Sequence, residues 1–253
     1  MSDSHNPSSG EIKSPLHGFR YIDIIAAFFV AVLIASNIAS SAKIVDLSSL
    51  LGGILPVYLA FDGGTLLFPV AYVLGDVITE VYGFRVSRRI IWTGFAVLAL
   101  TSVFFMILSL LPGDALWEEQ AGASAFNAIL GGMSTGGIAV ASLSGFLAGE
   151  FSNAAILSRL KVLMKGRALW VRAIGSSLIG ELLDTLFFVS VASLTGVFGW
   201  ELFATLVLTN YLFKVSMEVL VLPLTYLAVR KLKKAEGIDV YDVGVSFNPF
   251  ARR

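Results

Sequence analysis

The 253-residue chain contains no cysteine and only two histidines, and 14% of its residues are charged. Without cysteine there is no disulfide framework, no thiolate nucleophile and no cysteine-held metal or iron–sulfur cluster. His5 and His17 stand ahead of the first apolar run. Zinc chemistry and Ser-His or Cys-His catalysis therefore have no imidazole in the body of the chain. Eighteen basic residues balance eighteen acidic ones, so no general attraction for nucleic acid arises. Charge is also well below the roughly 25% of a soluble domain. What is there instead is apolar: 56% of residues are AVILMFWYC and the mean hydropathy is +0.82.

A membrane-crossing helix needs about 20 mostly apolar residues. Six stretches qualify, at about 21–44, 64–83, 90–111, 131–155, 169–194 and 203–229. The expected fold is an all-α membrane protein with six transmembrane helices. Residues 1–18, rich in Ser, Pro, Asn and Gly, read as a disordered tail. Residues 19–230 form the transmembrane domain and 231–253 a C-terminal tail. The first stretch lacks the charged n-region and cleavage site of a signal peptide, so the first span is expected to remain as a helix. With six spans drawn, 16 of the 18 basic residues fall on one side, and Lys43 is the only base in the opposite loops. Both termini are therefore expected in the cytoplasm. Residues 45–63 hold two apolar runs split by Gly52-Gly53. They read as a short β-hairpin between the first two helices or as a re-entrant segment. The C-terminal stretch "IDVYDVGVSFNPFARR" is less polar than a free tail and can pack on the cytoplasmic face.

Ionisable residues inside a bilayer cost at least ~2.5–3.5 kcal/mol each at a helix centre, and function is the default reading for them. Span 2 carries Asp76 and Glu80, span 4 Glu150, span 5 Glu181 and Asp184, and span 6 Lys214 and Glu218. Span 1 contributes Asn37, Ser40 and Ser41. At 1.5 Å per residue, Asp76, Asp184 and Lys214 each lie roughly 17–18 Å from one end of their spans, near the midplane. Phe68, Tyr72, Asp76 and Glu80 recur at i+4 and form one stripe. Ser177, Glu181, Asp184 and Phe188 share a face of span 5, and Tyr211, Lys214 and Glu218 a face of span 6. Such stripes belong in a common interior. A purely structural alternative stands beside this. Lys214 can neutralise Asp184 or Asp76, or pair with Glu218 at i,i+4. Glu80 and Glu150 can meet Arg85, Arg88 or Arg159 at the cytoplasmic edge. Yet five acids on spans 2, 5 and 6 face one lysine. The surplus calls for protonation or for a cationic or hydrogen-bond-donating ligand.

Span 2 contains "GDVITE", Gly75 to Glu80, and span 5 contains "GELLDT", Gly180 to Thr185. Two halves of three spans have opposite orientation, so a 3+3 inverted repeat with a midplane site is one reading of this echo.

Four segments together resemble the bacterial queuosine precursor transporter family, also called the vitamin uptake transporter family. They are "FPVAYVLGDVITEVYG" at 68–83 with the following "SRRI", "GELLDTLFF" at 180–188, "NYLFKV" at 210–215 with Pro223, and "YDVGVSFNPF" at 241–250. The resemblance extends across all six spans. It implies import of 7-deazaguanine precursors of queuosine, such as preQ0 and preQ1, through the inner membrane without an ATPase partner. It places Asp76, Asp184 and Lys214 at matching motif positions. The chemistry agrees. A guanine-like edge offers two adjacent N–H donors and a carbonyl; a carboxylate accepts the donors as a bidentate pair and an ammonium donates to the carbonyl. Asp184 or Asp76 is expected on the donor edge, with Lys214 on the carbonyl. Phe68, Tyr72, Tyr211 or Phe187 is expected to stack on the ring. Glu181, Glu80 and Asn37 complete the expected site. A cationic aminomethyl precursor can use the spare carboxylate; a cyano precursor cannot.

The expected partners are a small-molecule deazapurine and membrane lipid, with no cofactor and no nucleic acid. Small-residue runs such as "GGMSTGG" can mediate contacts within a chain or in a homo-oligomer. One rival reading is the substrate-capture subunit of an ATP-driven vitamin importer. A rival of another class is an intramembrane aspartyl protease using Asp76 and Asp184, although the Gly-x-Gly-Asp pattern is missing, with Val73 at its first position. "GMSTG" at 132–136 matches a nucleophile-elbow pattern but has no histidine to serve it. Pro69 and Pro223 are candidate helix bends.

Overall fold

In the computed structural model, residues 18–46 and 60–251 are described. They form a helical bundle in the order α1 (Ile22–Ala42), β1 (Ile44–Asp46), β2 (Ala60–Asp62), a 3₁₀ turn (Gly63–Leu66), α2 (Phe68–Tyr82), α3 (Phe84–Ser109), α4 (Ala115–Gln120), α5 (Gly122–Ser134), α6 (Gly136–Leu163), α7 (Leu169–Leu194), a second 3₁₀ turn (Trp200–Leu202) and α8 (Phe203–Glu236). The two three-residue strands pair antiparallel, Ile44 opposite Asp62. Residues 47–59, which carry most of the loop read as a hairpin or re-entrant segment, lie outside the described residues. So does most of the N-terminal tail.

Among the described residues, five helical stretches are long and apolar enough to cross a membrane. The expected second span is not one of them. Its helix, α2, has 15 residues, because Gly63–Leu66 takes the tighter 3₁₀ path and Gly83, at φ 84°, turns the chain directly into α3. A side chain at Gly83 would also strike Val240 Cγ1 at 2.8 Å. Pro69 opens α2 rather than bending it; in the first turn the missing N–H has no helical partner to lose. Pro223 does lie inside α8. The fourth span begins earlier and ends later than hydropathy suggests. It is broken at Thr135, whose extended ψ of 114° separates α5 from α6. Much of the stretch between the expected third and fourth spans is helical, as α4 and the start of α5.

A core of Phe29, Leu33, Val77, Ile78, Ile91, Leu98, Phe146 and Phe151 joins α1, α2, α3 and α6. Apolar side chains also cover the outside: Leu100, Phe104 and Leu110 of the α3 region are more than half exposed. An apolar exterior of this extent is lipid-facing rather than water-facing.

One end of the bundle is closed by charge. Glu80 of α2 accepts a bidentate pair from Arg172 of α7 and a hydrogen bond from Lys233 of α8 at 2.7 Å. Lys161 of α6 lies 3.7 Å from the same carboxylate and donates to the Glu80 backbone carbonyl at 2.5 Å. Lys161 and Lys233 also share Asp239. Glu80 therefore meets Arg172, Lys161 and Lys233, not Arg85, Arg88 or Arg159. Beyond α8 the chain returns across this end. Asp242 accepts from the Phe84 backbone N–H at 2.8 Å and from Ser158 at 2.6 Å. Arg88 donates to the carbonyls of Ser246 and Asn248, and Trp92 to that of Pro249. Arg159 stacks on Phe247.

Candidate functional site

The seam between α6 and α7 is made by glycine. A β-carbon on Gly149 would stand 2.6 Å from Asp184 Cβ, and one on Gly180 would stand 2.8 Å from Asn153 Cβ. Only residues without a side chain allow backbones this close. Asn153 and Asp184 sit at that seam and line a cavity of about 450 Å³, walled by α1, α2, α5, α6, α7 and α8. The volume falls within the range typical of small-molecule sites.

Among the described residues one cation faces the cavity. Lys214 of α8 contacts Asp184 and lies 3.5 Å from Glu181, both on α7. The Tyr72 hydroxyl donates to Glu181 at 3.1 Å. The Tyr72 ring stacks on Phe68 with centroids 6.3 Å apart and planes inclined by 19°. The Lys214 ammonium lies 5.8 Å from the Phe68 centroid. One wall thus carries an ammonium, two carboxylates and a flat aromatic pair. Phe188 and Phe198, edge to face at 6.1 Å, form a second aromatic wall. Ser142 donates to Asn37 at 2.9 Å and ties α6 to α1.

Six of the ten expected residues line this cavity: Asn37, Phe68, Tyr72, Glu181, Asp184 and Lys214. Asp76 stands one layer behind it, 2% exposed, with Asn153 donating to its carboxylate at 2.9 Å. Glu80 belongs to the ion cluster at the bundle end. Phe187 is 48% exposed and points away; Phe188, which shares the Glu181 stripe, is the ring at the cavity. Tyr211 is half-buried outside the lining, because α8 turns Leu206, Asn210 and Lys214 inward at i+4 spacing. The Lys214–Glu218 pair does not form; Glu218 accepts from Ser177 instead. Glu150 lies deeper than the headgroup reading places it. It was expected at the headgroups with Arg85, Arg88 or Arg159, but α6 continues 13 residues past it to Leu163, and it lines the cavity. Asn153, one turn further on the same helix, has a signal in the sequence only once Glu150 is known to face inward.

Asp76 and Asp184, the pair an aspartyl protease would need, have different partners, Asn153 and Lys214. Among the described residues no group of three or more His, Cys, Asp or Glu side chains is arranged to hold a metal ion. The cavity wall offers a small molecule a stacking surface, an ammonium donor and carboxylate acceptors.

The family model described as "Putative vitamin uptake transporter" matches residues 62–228, which include every cavity-lining helix except α1. A protein of Bacillus subtilis (strain 168) named "Probable queuosine precursor transporter" is 26% identical over 175 residues, covering 68% of this chain and 73% of its own length. The "Queuosine precursor transporter" of Escherichia coli (strain K12) is 26% identical over 196 residues, 77% of this chain and 81% of the relative. A "Probable queuosine precursor transporter" of Haemophilus influenzae is 25% identical over 159 residues, 62% of this chain and 63% of the relative. No solved structure matches the chain.

Proposed function

Because the chain belongs to the vitamin uptake transporter family and is a multi-pass protein of the bacterial inner membrane, we propose that the small molecule it transports is a 7-deazaguanine precursor of queuosine, preQ0 or preQ1, and that it moves inward. The observation that carries this reading is the cavity wall of Lys214, Asp184 and Glu181 beside the Phe68–Tyr72 stack. A deazaguanine ring lies against the aromatic pair. Its N–H donor edge faces Asp184 or Glu181, and its carbonyl takes the Lys214 ammonium. Asp76 acts through Asn153 rather than by direct contact.

In this reading six segments cross the bilayer. The 15 residues of α2 supply about 22 Å, and the 3₁₀ turn before it about 8 Å more. Together they match a hydrocarbon core of about 30 Å. The basic end, with the returning C-terminal segment, faces the cytoplasm. The two halves form a 3+3 inverted repeat in which α2 and α7 correspond. The chain works without an ATPase.

Two measurements test the proposal. Purified protein should bind labelled deazaguanines and ignore adenine and thiamine. Liposomes containing this chain alone should take up the same compounds; uptake only with an ATPase module would instead assign it to an ATP-driven importer.

A further inference from the structure

The acidic groups at and behind the cavity differ in what holds them. Asp184 and Glu181 share Lys214. Glu181 also takes the Tyr72 hydroxyl, Asp76 the Asn153 amide and Glu218 the Ser177 hydroxyl. Glu150 has no hydrogen-bond or ion-pair partner among the described residues, although it lines the cavity. Its carboxylate is seated against a notch in α2: a β-carbon on Gly75 would stand 3.1 Å from its Oε2. A side chain at position 75 would fill that notch.

A second observation points to a ligand in the same space. Thr185 is 1% exposed and lines the cavity, and its hydroxyl has no partner. The Asn153 Oδ1, one turn along α6 from Glu150, is likewise buried without a donor. Both oxygens can accept a hydrogen bond, and buried oxygens of this kind are rarely left empty. The one ammonium on the wall is already occupied by two carboxylates. The unmet demand is therefore for positive charge and N–H donors.

We infer that Glu150 is the specificity-determining residue for a substrate carrying an ammonium on a short arm from a flat heteroaromatic ring. The inference rests on the proposed transport of deazaguanines and assigns their substituent. The ring occupies the Phe68–Tyr72 wall, and the arm reaches Glu150, where the carboxylate accepts a charge-assisted hydrogen bond. The aminomethyl arm satisfies this; a cyano group in its place carries neither charge nor a donor hydrogen.

The test is direct binding of 7-aminomethyl- and 7-cyano-7-deazaguanine to purified protein at fixed pH, with melting temperature as the fold control. The readout is the ratio of the two affinities. In Glu150→Gln, the preference for the aminomethyl compound should fall about 10- to 100-fold relative to the unsubstituted protein. Gly75→Ala, which displaces the carboxylate without changing charge, should lower the same ratio less. It serves as the deciding variant if Glu150→Gln does not fold. Equal loss of both ligands, or an unchanged ratio, overturns the assignment of Glu150 alone. An unsubstituted protein that binds neither compound overturns the transport reading and this one together.

Discussion

Two ion clusters among the described residues are built with opposite balance. At the basic end, three cations (Arg172, Lys161 and Lys233) close on Glu80, and Asp239 answers two of them. In the cavity, one cation, Lys214, faces Asp184 and Glu181 on one wall and Glu150 on another. Glu80 and Arg172 are each 1% exposed, whereas Asp184 and Lys214 are 22% and 20% exposed beside open space. The first cluster ties four helices together, with carboxylate and guanidinium fully paired. The second leaves acceptors over. Charge that is saturated and dry holds a structure; charge that is unsaturated and beside a void waits for something else.

The sharpest way to break this contrast is at Glu80. Glu80→Gln leaves Arg172 without its carboxylate in a buried site, while Lys161 and Lys233 keep Asp239. It should cost about 3–5 kcal/mol of stability and produce the lowest melting temperature of the variants considered. A melting temperature close to that of the unsubstituted protein would show that the cluster does not brace the bundle. Asp184→Asn should do the reverse. It should abolish uptake of labelled deazaguanine by cells lacking their own importer while the melting temperature changes little, and normal uptake would remove Asp184 from the site. Tyr72→Phe sharpens the picture at lower amplitude. It keeps the ring stacked on Phe68 and deletes only the hydroxyl to Glu181, so affinity should weaken by about 5-fold, the equivalent of one hydrogen bond.

The smallest effect is expected at Asp239. Burial raises its carboxyl, but hydrogen bonds and charge from Lys161 and Lys233 outweigh that and hold it below the ordinary range. A carboxyl depressed in the folded protein stabilises fully above its unfolded value of about 3.9. The benefit is lost as pH falls from there through the folded value. Asp239→Asn should therefore flatten the fall of melting temperature on acidification below about pH 4. The change should be slight, because the side chain is 41% exposed and solvent screens its ion pairs.

The long apolar runs made α1, α3, α7 and α8 legible, and α7 was placed at its observed bounds of 169 and 194. Hydropathy failed where a helix is polar or broken. α2 is short because two glycines precede it and one ends it. The break at Thr135 is invisible to a window average. In the site, the i+4 step from Phe68 to Tyr72 and the i+7 step from Glu181 to Phe188 each join residues that line the cavity. The spacing does not say where along a stripe the cavity stops: Phe68 and Tyr72 line it, whereas Asp76 and Glu80 of the same stripe do not. Glu150 was misplaced because its depth depends on where α6 ends, and eight residues from Ile156 to Leu163 are helical beyond the apolar stretch.

The glycine seam between α6 and α7 has a mechanical consequence. With Gly149 and Gly180 in contact at the main chain, neither helix can slide along or roll over the other without a collision between backbones, which cannot yield as side chains do. The pair is a single rigid plank bearing Glu150, Asn153, Glu181 and Asp184. Any rocking that uncovers the cavity to one side and then the other must take place along its margins, where α2 and α8 meet it through longer, softer side chains such as Tyr72 and Lys214.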